Sequence, residues 1–417
     1  MVKLIKGFHD ILPDQTPKWS FITSTARTTL ERFGFREIIP PVMERTELFQ
    51  RGIGEVTDIV EKEMYTFEDR NGDSLSLRPE ATAGILRAVA EHALLRKEPV
   101  LKLFSIGPMF RRERPSKGRF RQFFQINAEV LGEDSPLTDA ETIAAAHAIM
   151  TNIGAQGLIM EINSVGCSVC RPEYRRVLQD FLRDRLEELC PDCRRRYHRN
   201  PLRILDCKVP ECEAIARECP VITESLDGPC IEHFDAVRDA LDMIGIPYRV
   251  ESGMVRGLDY YTRTAFEIVH DELGRTKAVG GGGRYDNLLK DLGGPEAGGI
   301  GFAMGVERLA MGLSDDDPRF RGTLDAYVAA VGDDALGPAF KLTASLRREG
   351  YSVEARYNTR SLKSHMKTAD KLGARRVIMI GNEELARGEV TIRDMRTKDQ
   401  KAIPVEAASD YLRGVEP

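Results

Sequence analysis

The sequence predicts an α+β protein with an antiparallel-sheet core, a mostly helical insert within that core, and a separate α/β domain at the C-terminal end. Three observations lead to this prediction. Asn71-Gly72-Asp73 is a strong hairpin signal between two β-rich runs. All eight cysteines lie between Cys167 and Cys230, where apolar residues follow helical spacing. After residues 314–318, strand-like and helix-like runs alternate, as in a small α/β domain.

The composition excludes several classes of protein. A chain of 417 residues with 42% hydrophobic and 30% charged residues is too apolar for disorder and too polar for a membrane protein. A net charge of −5 excludes bulk attraction to nucleic acid, although a local basic patch is compatible with it. The longest apolar runs are shorter than the roughly 18 residues of a bilayer span. The N-terminus lacks a signal-peptide core, so we expect a cytoplasmic protein.

The first elements follow from helix and strand boundaries. Residues 16–33 predict a helix that ends at Gly34. Residues 35–39 predict a strand, which Pro40 and Pro41 end because proline cannot donate to a sheet.

The hairpin comes next in the chain. Its strands are predicted over residues 63–69 and 74–78, so antiparallel pairing is expected in the core. Residues 81–90 then resemble a helix with Glu80 and Thr82 in its N-terminal turn. Taken alone, this pattern indicates only a helix start with a favourable charge.

A basic segment, residues 110–125, predicts two strands joined by a loop, because Lys117-Gly118 marks a turn. Guanidinium groups in such a cluster bind phosphate oxygens through paired, charge-assisted hydrogen bonds. A solvated basic loop has the same composition, so charge alone leaves both interpretations open. The segment has one acidic residue, Glu113, and six basic ones: Arg111, Arg112, Arg114, Lys117, Arg119 and Arg121.

The cysteine region, residues 166–249, is predicted to be mostly helical and to hold a metal ion or free thiols. Cys167-x2-Cys170 and Cys190-x2-Cys193 match a zinc-ribbon spacing. However, the helix expected between them would span roughly 28 Å, whereas zinc ligands lie about 2.3 Å from the metal. Cys190, Cys193, Cys207 and Cys212 form a better zinc set, because the gap between Cys193 and Cys207 is shorter and is interrupted by Pro201.

Residues 250–312 return to strands and glycines. Gly257 frees the backbone beside Arg256, and two tyrosines next to Asp259 are unusual in a plain core strand. The chain has no P-loop, no Rossmann glycine pattern and no G-x-S-x-G elbow. A nucleotide would therefore be bound by other means.

Two further glycine-rich segments follow. Residues 280–283 either let a backbone approach a ligand closely or form a glycine-rich turn. Residues 301–313 predict an apolar helix carrying Glu307 and Arg308, for which a core helix with a surface ion pair is the simplest interpretation.

Beyond the polar boundary at residues 314–318, five elements alternate and predict a largely parallel sheet. The predicted strands and helices are strand 324–331, helix 335–349, strand 351–357, helix 362–372 and strand 375–380.

Five segments together resemble the motifs of class II aminoacyl-tRNA synthetases, and within that class the bacterial-type histidyl-tRNA synthetase family. Residues 34–41 resemble motif 1, residues 110–129 motif 2, and residues 305–309 motif 3. RGLDYY (256–261) and GGRYD (282–286) resemble the two histidine-specific motifs, and the similarity extends over nearly the whole chain.

The resemblance implies a domain organisation and a reaction. Residues 1–165 and 250–315 would form the catalytic core, residues 166–249 the helical insert, and residues 322–417 an anticodon-binding domain. The core would form a homodimer through motif 1. L-Histidine and ATP would give histidyl-adenylate, with Mg²⁺ on the β- and γ-phosphates. The histidyl group would then pass to the 3′-terminal adenosine of tRNA(His).

The resemblance also implies roles for individual residues. Positive charge at the α-phosphate would stabilise the charge that develops there during attack, and it would come from the catalytic pair Arg111 and Arg256. The ATP-binding residues would be Arg111, Glu113, Phe123 and Arg308. The histidine-binding residues would be Glu80, Thr82, Gln125, Glu129, Arg256, Tyr261 and Tyr285. The motif 2 loop would contact tRNA through Arg114, Lys117 and Arg119.

Two alternatives remain at this point. Regulatory paralogs that serve as subunits of ATP phosphoribosyltransferase generally lack the anticodon domain and degrade the RGLDYY signature, both of which this chain keeps. A zinc-dependent nucleic-acid-binding module would explain the insert and the basic segment, but it would leave Glu80, Glu129 and the tyrosines without a purpose.

Overall fold

The chain divides into two units, Met1–Ser314 and Asp315–Pro417, and each has its own hydrophobic core. The structure, a computed structural model, describes residues 2–54, 57, 59–116, 118–254, 260–270, 278–315, 317–320, 324–358 and 361–414.

The strands of the first unit form one eight-stranded sheet and one three-stranded sheet. In chain order they are β1 (Arg36–Glu37), β2 (Met43–Arg45), β3 (Tyr65–Glu68), β4 (Ser74–Leu77), β5 (Leu101–Phe110), β6 (Gln122–Leu131), β7 (Leu158–Ser164), β8 (Tyr248–Val250), β9 (Thr262–His270), β10 (Ala278–Arg284) and β11 (Gly299–Gly305). The large sheet has the order β1-β5-β6-β11-β10-β9-β7-β8. Only its two edge pairs are parallel, which confirms the predicted antiparallel core.

The helices of the first unit pack against this sheet or build the insert. They are α1 (Thr16–Arg32), α2 (Thr46–Ile53), α3 (Thr82–Glu91), α4 (Leu94–Lys97), α5 (Pro136–Ile153), α6 (Cys170–Leu182), α7 (Pro191–Arg199), α8 (Pro210–Glu218), α9 (Gly228–Met243), α10 (Leu288–Asp291) and α11 (Val306–Met311). Shorter helical turns are Ile59–Glu63, Arg183–Glu188, Pro201–Ile204 and Ile222–Ser225.

The predicted hairpin is present as β3 and β4, which form the small sheet with β2. Its turn is held by Asp69, whose Oδ1 accepts hydrogen bonds from the backbone N–H groups of Asn71 at 2.8 Å and Asp73 at 2.9 Å. This is the side-chain-to-backbone bonding that makes Asx residues favourable in turns. The basic segment likewise joins two long antiparallel strands, β5 and β6.

Three local predictions need correction. The strand expected over residues 35–39 is confined to the two residues of β1. Residues 280–283 lie inside β10 and are not a turn. The helix expected over residues 301–313 begins only at Val306, because the preceding residues form β11, which is paired on both sides by β6 and β10. Pairing on two edges overrides the apolar pattern, which is ambiguous between a buried strand and a helix.

The insert is mostly helical and has its own core of buried side chains. Tyr174, Leu178 and Leu182 face that core at helical spacing along α6. Four cysteines are buried with them: Cys193, Cys207, Cys212 and Cys219.

The second unit is a five-stranded sheet with helices, of order β13-β12-β14-β15-β16. Its elements are β12 (Leu324–Ala330), α12 (Leu336–Arg348), β13 (Val353–Ala355), α13 (Leu362–Lys371), β14 (Ala374–Ile380), α14 (Asn382–Arg387), β15 (Glu389–Asp394), β16 (Gln400–Pro404) and α15 (Ala408–Arg413). The first three strands pair in parallel as predicted, but β15 and β16 add two antiparallel pairs. The sheet is therefore mixed and not largely parallel.

Within the part of the chain that the structure describes, no helix combines the length and apolarity required to cross a bilayer.

Candidate active site

A cavity of about 320 Å³ lies against the middle of the eight-stranded sheet. Its walls come from β6, β10, β11 and the start of α3. Ten of the residues predicted to bind ATP or histidine line it: Glu80, Thr82, Arg111, Glu113, Phe123, Gln125, Glu129, Tyr261, Tyr285 and Arg308. The eleventh, Arg256, lies outside the described residues.

Glu80 lies at the N-terminal end of α3, and both of its carboxylate oxygens accept hydrogen bonds from backbone N–H groups of that helix. Oε2 accepts a hydrogen bond from Thr82 N at 2.7 Å, and Oε1 accepts one from Ala83 N at 2.9 Å. Burial raises the pKa of Glu80, against the opposing effect of these hydrogen bonds and of the Arg111 charge. The carboxylate therefore caps the helix, and its remaining lone pairs can still accept from a ligand.

Glu129 lies deeper in the cavity and is only 1% exposed. Its Oε1 accepts a hydrogen bond from Thr82 Oγ1 at 2.7 Å, and its Oε2 accepts one from the Tyr285 hydroxyl. Burial raises the pKa of Glu129 to about 8, and the nearby charge of Glu80 acts in the same direction. Within the described part of the chain, neither carboxyl group has an ion-pair partner, so both favour a ligand that brings N–H donors or positive charge.

Space for Glu129 is provided by a glycine in the neighbouring strand. Gly301 of β11 is directly opposite Glu129 in the register of β6 and β11. A Cβ atom on Gly301 would overlap Oε2 of Glu129 and the carbonyl oxygen of Ala128. Any larger residue would therefore displace the carboxylate or separate the strands.

Another part of the cavity lining is rich in arginine, and it adjoins Glu80 through Arg111. Arg111 Nε donates to the carbonyl oxygen of Pro79 at 2.8 Å, and its guanidinium carbon lies 5.3 Å from the Phe123 ring centroid. Glu113 lies between two guanidinium groups, at 3.9 Å from Arg111 and 3.4 Å from Arg119. These groups form a surface to which phosphates and an adenine ring can bind.

Arg308 completes this arginine-rich side. Its Nε donates to the carbonyl oxygen of Gly118 at 3.3 Å, and Nη1 donates to that of Ala278. Burial lowers the pKa of Arg308, and the positive charges of Arg119 and Arg111 lower it further. A polyanion such as a triphosphate would relieve this repulsion.

The expected surface ion pair between Glu307 and Arg308 is wrong. Glu307 is buried, and both of its carboxylate oxygens accept from the backbone N–H of Phe124, at 2.9 and 3.1 Å. Burial raises the pKa of Glu307 to about 7, against these hydrogen bonds. Glu307 therefore fixes the start of α11 against β6, which holds Arg308 at the edge of the cavity.

Gln125 and three tyrosines, Tyr260, Tyr261 and Tyr285, also line the cavity. Oε1 of Gln125 is buried and has no hydrogen-bond partner among the described residues, so it is an available acceptor. The ring centroid of Tyr260 lies 4.7 Å from that of Tyr261 and 5.7 Å from that of Tyr285.

The predicted tRNA-binding loop lies at the rim. Ser116 and Arg119 exchange backbone hydrogen bonds at 3.2 and 3.0 Å, which closes a tight turn. Arg114 is exposed, Arg119 also lines the cavity, and Lys117 lies outside the described residues.

The insert contains two separate groups of side chains that could hold a metal ion. One is the predicted set, and the other was not predicted. The first comprises Cys190, Cys193, Cys207 and Cys212, and the second comprises Cys167, Cys170, Asp227 and Cys230. The two C-x2-C pairs thus fall in different groups, as the helix length between them requires.

Sequence reasoning missed several residues of the cavity. Tyr260 and Glu307 lay inside recognised motifs but were not assigned, and Glu267 and Gly301 carried no local signal. The alternation of side chains along β9 and β11 would have pointed to the last two only once the strand register was known.

Comparison with known proteins identifies the family. Residues 7–309 match the family model described as histidyl-tRNA synthetase, and residues 325–414 match the anticodon binding domain. The chain belongs to the histidyl-tRNA synthetase family.

Relatives and solved structures of histidyl-tRNA synthetases match the chain over its length. The histidine–tRNA ligase of Desulfosudis oleivorans is 50% identical over 97% of this chain and 96% of its own. That of Geobacter sulfurreducens is 48% identical over 97% and 98%. The crystal structure of apo S. aureus histidyl-tRNA synthetase has a TM-score of 0.82 at 35% identity and covers 99% of this chain and 100% of its own.

Proposed function

We propose that the cavity activates histidine with ATP and that the same site then transfers the histidyl group to the 3′-terminal adenosine of tRNA(His). The chain is a histidine–tRNA ligase, since its relatives of that name match over their full length. The observation that carries the two-step proposal is one cavity whose lining includes two buried carboxyl groups, Glu80 and Glu129, and three arginines, Arg111, Arg119 and Arg308. The regulatory-paralog alternative is not favoured by these relatives.

The carboxyl side would bind histidine. The Thr82 hydroxyl donates its hydrogen to Glu129. The lone pairs of the Thr82 oxygen therefore remain able to accept from an α-ammonium group, together with the carboxylate of Glu80. Gln125 Oε1 would accept near the same end. A site that pairs buried polar groups with ligand N–H groups rejects amino acids that lack them, because the unpaired groups then lose their hydrogen bonds.

The imidazole ring would lie deeper. Glu129 would accept from one ring nitrogen and Tyr261 would bond the other, while Tyr285 holds the carboxyl group of Glu129 in place. Glu129 is the better acceptor as a carboxylate, so binding of the ring favours loss of its proton.

The arginine side would bind ATP. Arg111 would contact the α-phosphate, Arg308 the γ-phosphate, and Phe123 would stack on the adenine, with Glu113 positioning its edge. Arg256, by family resemblance, would add a second charge at the α-phosphate. Since the attacking group is the substrate carboxylate, these residues need only position the reactants and stabilise the charge that develops on phosphorus.

The family also implies Mg²⁺. Glu267 also lines the cavity, and carboxylate oxygens are the ligands that Mg²⁺ prefers. When bound, the ion would neutralise charge on the β- and γ-phosphates and so assist departure of pyrophosphate.

Two regions would contact tRNA. The anticodon-binding domain would bind the anticodon. The motif 2 loop would bind the acceptor end through Arg114 and Arg119, which are exposed, and through Lys117. Contacts between arginine and phosphate predict an affinity that falls as salt concentration rises.

A homodimer through motif 1 is supported by exposed apolar side chains. Ile39 is 82% exposed, and Val42 and Met43 next to it are also exposed. Such a cluster would be covered in a dimer. Light scattering of the Ile39→Asp variant should give a lower mass than the unaltered chain, and equal masses would contradict this interface.

A structural zinc ion in the predicted cysteine set is supported by distances. The four sulfur atoms lie within 4.8 Å of one another, and Cys190 Sγ lies 3.9 Å from Cys207 Sγ. A tetrahedral zinc site with four thiolates requires sulfur separations of about 3.7 Å. The cytoplasmic location predicted from the sequence suits free thiolates, which persist in reducing compartments.

The test of the main proposal is ATP–pyrophosphate exchange with each of the twenty amino acids. Exchange with histidine alone is expected, and Glu129→Ala should abolish it. Exchange with another amino acid would overturn the assignment of the pocket. Absence of exchange from folded protein would overturn the activation step.

A further inference from the structure

The second group of cysteines joins the two ends of the insert. Cys167 and Cys170 lie where the chain enters it after β7, and Asp227 and Cys230 lie where it leaves at the start of α9. Their ligand atoms all lie within 4.8 Å of one another. Roughly 60 residues of folded chain separate the two pairs in sequence, so only tertiary structure brings them together.

The distances within this group fit a single ion at its centre. Cys167 Sγ lies 3.6 Å from Cys170 Sγ and 3.4 Å from Asp227 Oδ2. Zinc–sulfur bonds of about 2.3 Å and zinc–oxygen bonds of about 2.1 Å, arranged tetrahedrally, place neighbouring ligand atoms about 3.5 to 3.7 Å apart. A closed set of four protein ligands is typical of structural zinc.

The surroundings of these atoms suit ionised ligands. The backbone N–H of Val169 points to Cys167 Sγ at 3.3 Å, and that of Asp227 points to Cys170 Sγ at 3.2 Å. Asp227 also accepts from the backbone N–H of Cys230 through Oδ1 at 2.9 Å, which leaves Oδ2 facing the sulfur atoms. Hydrogen bonds of this kind orient metal ligands and stabilise the charge on them.

We propose that Cys167, Cys170, Asp227 and Cys230 form a second structural zinc site, which clamps the base of the insert. Three thiolates with one carboxylate select a borderline-soft ion such as zinc over Mg²⁺ or Ca²⁺. The site is independent of the reaction at the cavity and of the zinc site proposed in the core of the insert.

The clamp acts on two segments that contact the catalytic core. Arg171, next to Cys170, donates to the carbonyl oxygens of Val165, at 3.2 Å, and Tyr261. Where the chain leaves the insert, His233 lies on α9 one turn after Cys230 and forms a buried hydrogen bond of 2.8 Å with Asp139. An ion that joins both ends of the insert would therefore hold Arg171 in position, and with it the backbone of Tyr261 that Arg171 contacts.

The experiment is elemental analysis of the purified full-length chain, with free thiols counted under denaturing conditions. The unaltered chain is expected to contain about two zinc ions per chain. Cys170→Ser and Asp227→Asn should each remove about one, and Cys193→Ser should remove the other. Cys219→Ser is the matched control, because Cys219 is a buried cysteine of the insert that belongs to neither group.

The outcomes separate the two sites. Loss of zinc in Cys170→Ser with retention in Cys193→Ser supports the clamp and contradicts zinc in the core of the insert. Unchanged zinc in both Cys170→Ser and Asp227→Asn overturns the clamp. A disulfide among Cys167, Cys170 and Cys230 in the freshly purified chain, seen as two missing thiols, also overturns it.

Folding failure of Cys170→Ser would not obscure the result, because Asp227→Asn keeps a side chain that can cap α9, and cobalt can replace zinc in that variant and in the unaltered chain. Two equivalents of Co²⁺ should bind, with the intense visible bands of tetrahedral thiolate sites, and Cys219→Ser should behave identically. Saturation at one equivalent in the unaltered chain would overturn the clamp if Asp227→Asn leaves the spectrum unchanged.

Discussion

Glu80 and Glu129 bring two carboxyl groups into one buried cavity, and among the described residues both are held by hydrogen bonds instead of ion pairs. Burying two acidic groups that form no ion pair among the described residues is unfavourable, because each ionised group loses its hydration and the Arg111 charge offsets this only in part at Glu80. A ligand with an ammonium group and ring N–H donors would compensate both. The empty cavity thus has an electrostatic preference for a ligand of the histidine type.

Histidine binding should release protons at neutral pH. Because the pKa of Glu129 is raised to about 8 in the empty cavity, the group is mostly protonated at pH 7. Binding that favours the carboxylate should release up to about 0.9 proton at pH 7 and little at pH 9. Calorimetry in two buffers of different ionisation enthalpy measures this. Glu129→Gln should remove the release. Glu141→Gln should not, because the half-buried Glu141 lies outside the cavity and pairs with Lys102, and equal release by both variants would contradict the assignment.

Gly301 allows a prediction about the floor of the pocket. Gly301→Ala should displace the Glu129 carboxylate and raise KM for histidine by about tenfold or more, which corresponds to about 1.4 kcal/mol. KM for ATP should change much less, since the arginine side is untouched. Gly337→Ala is the control, because a Cβ there meets no atom within 4 Å. Steady-state exchange kinetics with unchanged KM for histidine would contradict the role of Gly301.

At the scale of single residues, the sequence indicates which residues line the cavity but does not indicate which of them contact one another. Glu80, Thr82 and Glu129 were assigned to the pocket from motifs, yet nothing local indicated that Thr82 bonds Glu129 across 47 residues. Glu307 was interpreted as a surface residue because its backbone partner, Phe124, lies 183 residues away in sequence. Long-range hydrogen bonds depend on sheet register, which periodicity does not determine.

Among the elements, α5, α9 and β10 are joined by one buried polar cluster. Asp139 of α5 accepts from Arg284 Nε of β10 at 3.0 Å and from His233 Nε2 of α9 at 2.8 Å. Burial would raise the pKa of Asp139, but the His233 hydrogen bond and the Arg284 charge outweigh it and lower the pKa. The cluster therefore fixes the end of β10, which Tyr285 directly follows.

Asp139→Asn should destabilise the first unit strongly. The substitution removes the buried anionic partner of Arg284 and leaves it, among the described residues, only Asp286 at 3.2 Å and Asp134 at 3.4 Å. Breaking a buried pair typically costs about 3 to 5 kcal/mol of unfolding free energy, and because these two contacts remain we expect the lower end of that range. Since the pKa of Asp139 is lowered on folding, its contribution is present above the unfolded pKa and is lost as pH falls through the folded one. Thermal unfolding at pH 7 measures the loss.

The exposed Asp235→Asn on α9 is the matched control and should change stability by no more than about 0.5 kcal/mol. If Asp139→Asn melted within 1 °C of the unaltered chain, the cluster would not have the role described, given that roughly 2–4 °C corresponds to each kcal/mol.

Element types were well predicted where periodicity and turn chemistry agreed. The hairpin around Asn71 and the helix ended by Gly34 have both signals, and both are present. The prediction was wrong for residues 301–305, where an apolar run without polar alternation became a central strand. The same limit applies to β15 and β16, whose pairing made the second sheet mixed.

The whole chain consists of two units with separate cores, so the first unit should catalyse histidine activation without the second. A chain of residues 1–314 should retain histidine-dependent pyrophosphate exchange within about threefold, while its tRNA charging at limiting tRNA falls by about tenfold or more, equivalent to about 1.4 kcal/mol of lost binding. The full chain is the control. Equal loss of exchange and charging, from a folded fragment, would contradict a role for residues 315–417 in tRNA binding.

Composition predicts a boundary at the polar residues 314–318, and the chain divides into its two units between Ser314 and Asp315. The location of the cavity cannot be predicted in this way, since it depends on how β6, β10 and β11 lie side by side. The resemblance to known motifs predicts which residues lie at the site, and the pairing of the strands determines the distances between them.

The close approach of Gly301 to Glu129 limits how the enzyme can be redesigned. Attempts to charge tRNA with a bulkier, non-natural analogue of histidine cannot gain room on the β11 side, because no atom can be removed from a glycine and the strand behind it is already in contact. The adjustable walls are the tyrosine rings, of which Tyr285 also holds the Glu129 carboxyl group. Tyr260 lines the cavity and packs on both of the other tyrosines without an assigned ligand contact, so trimming Tyr260 is the substitution from which such an engineering effort should begin.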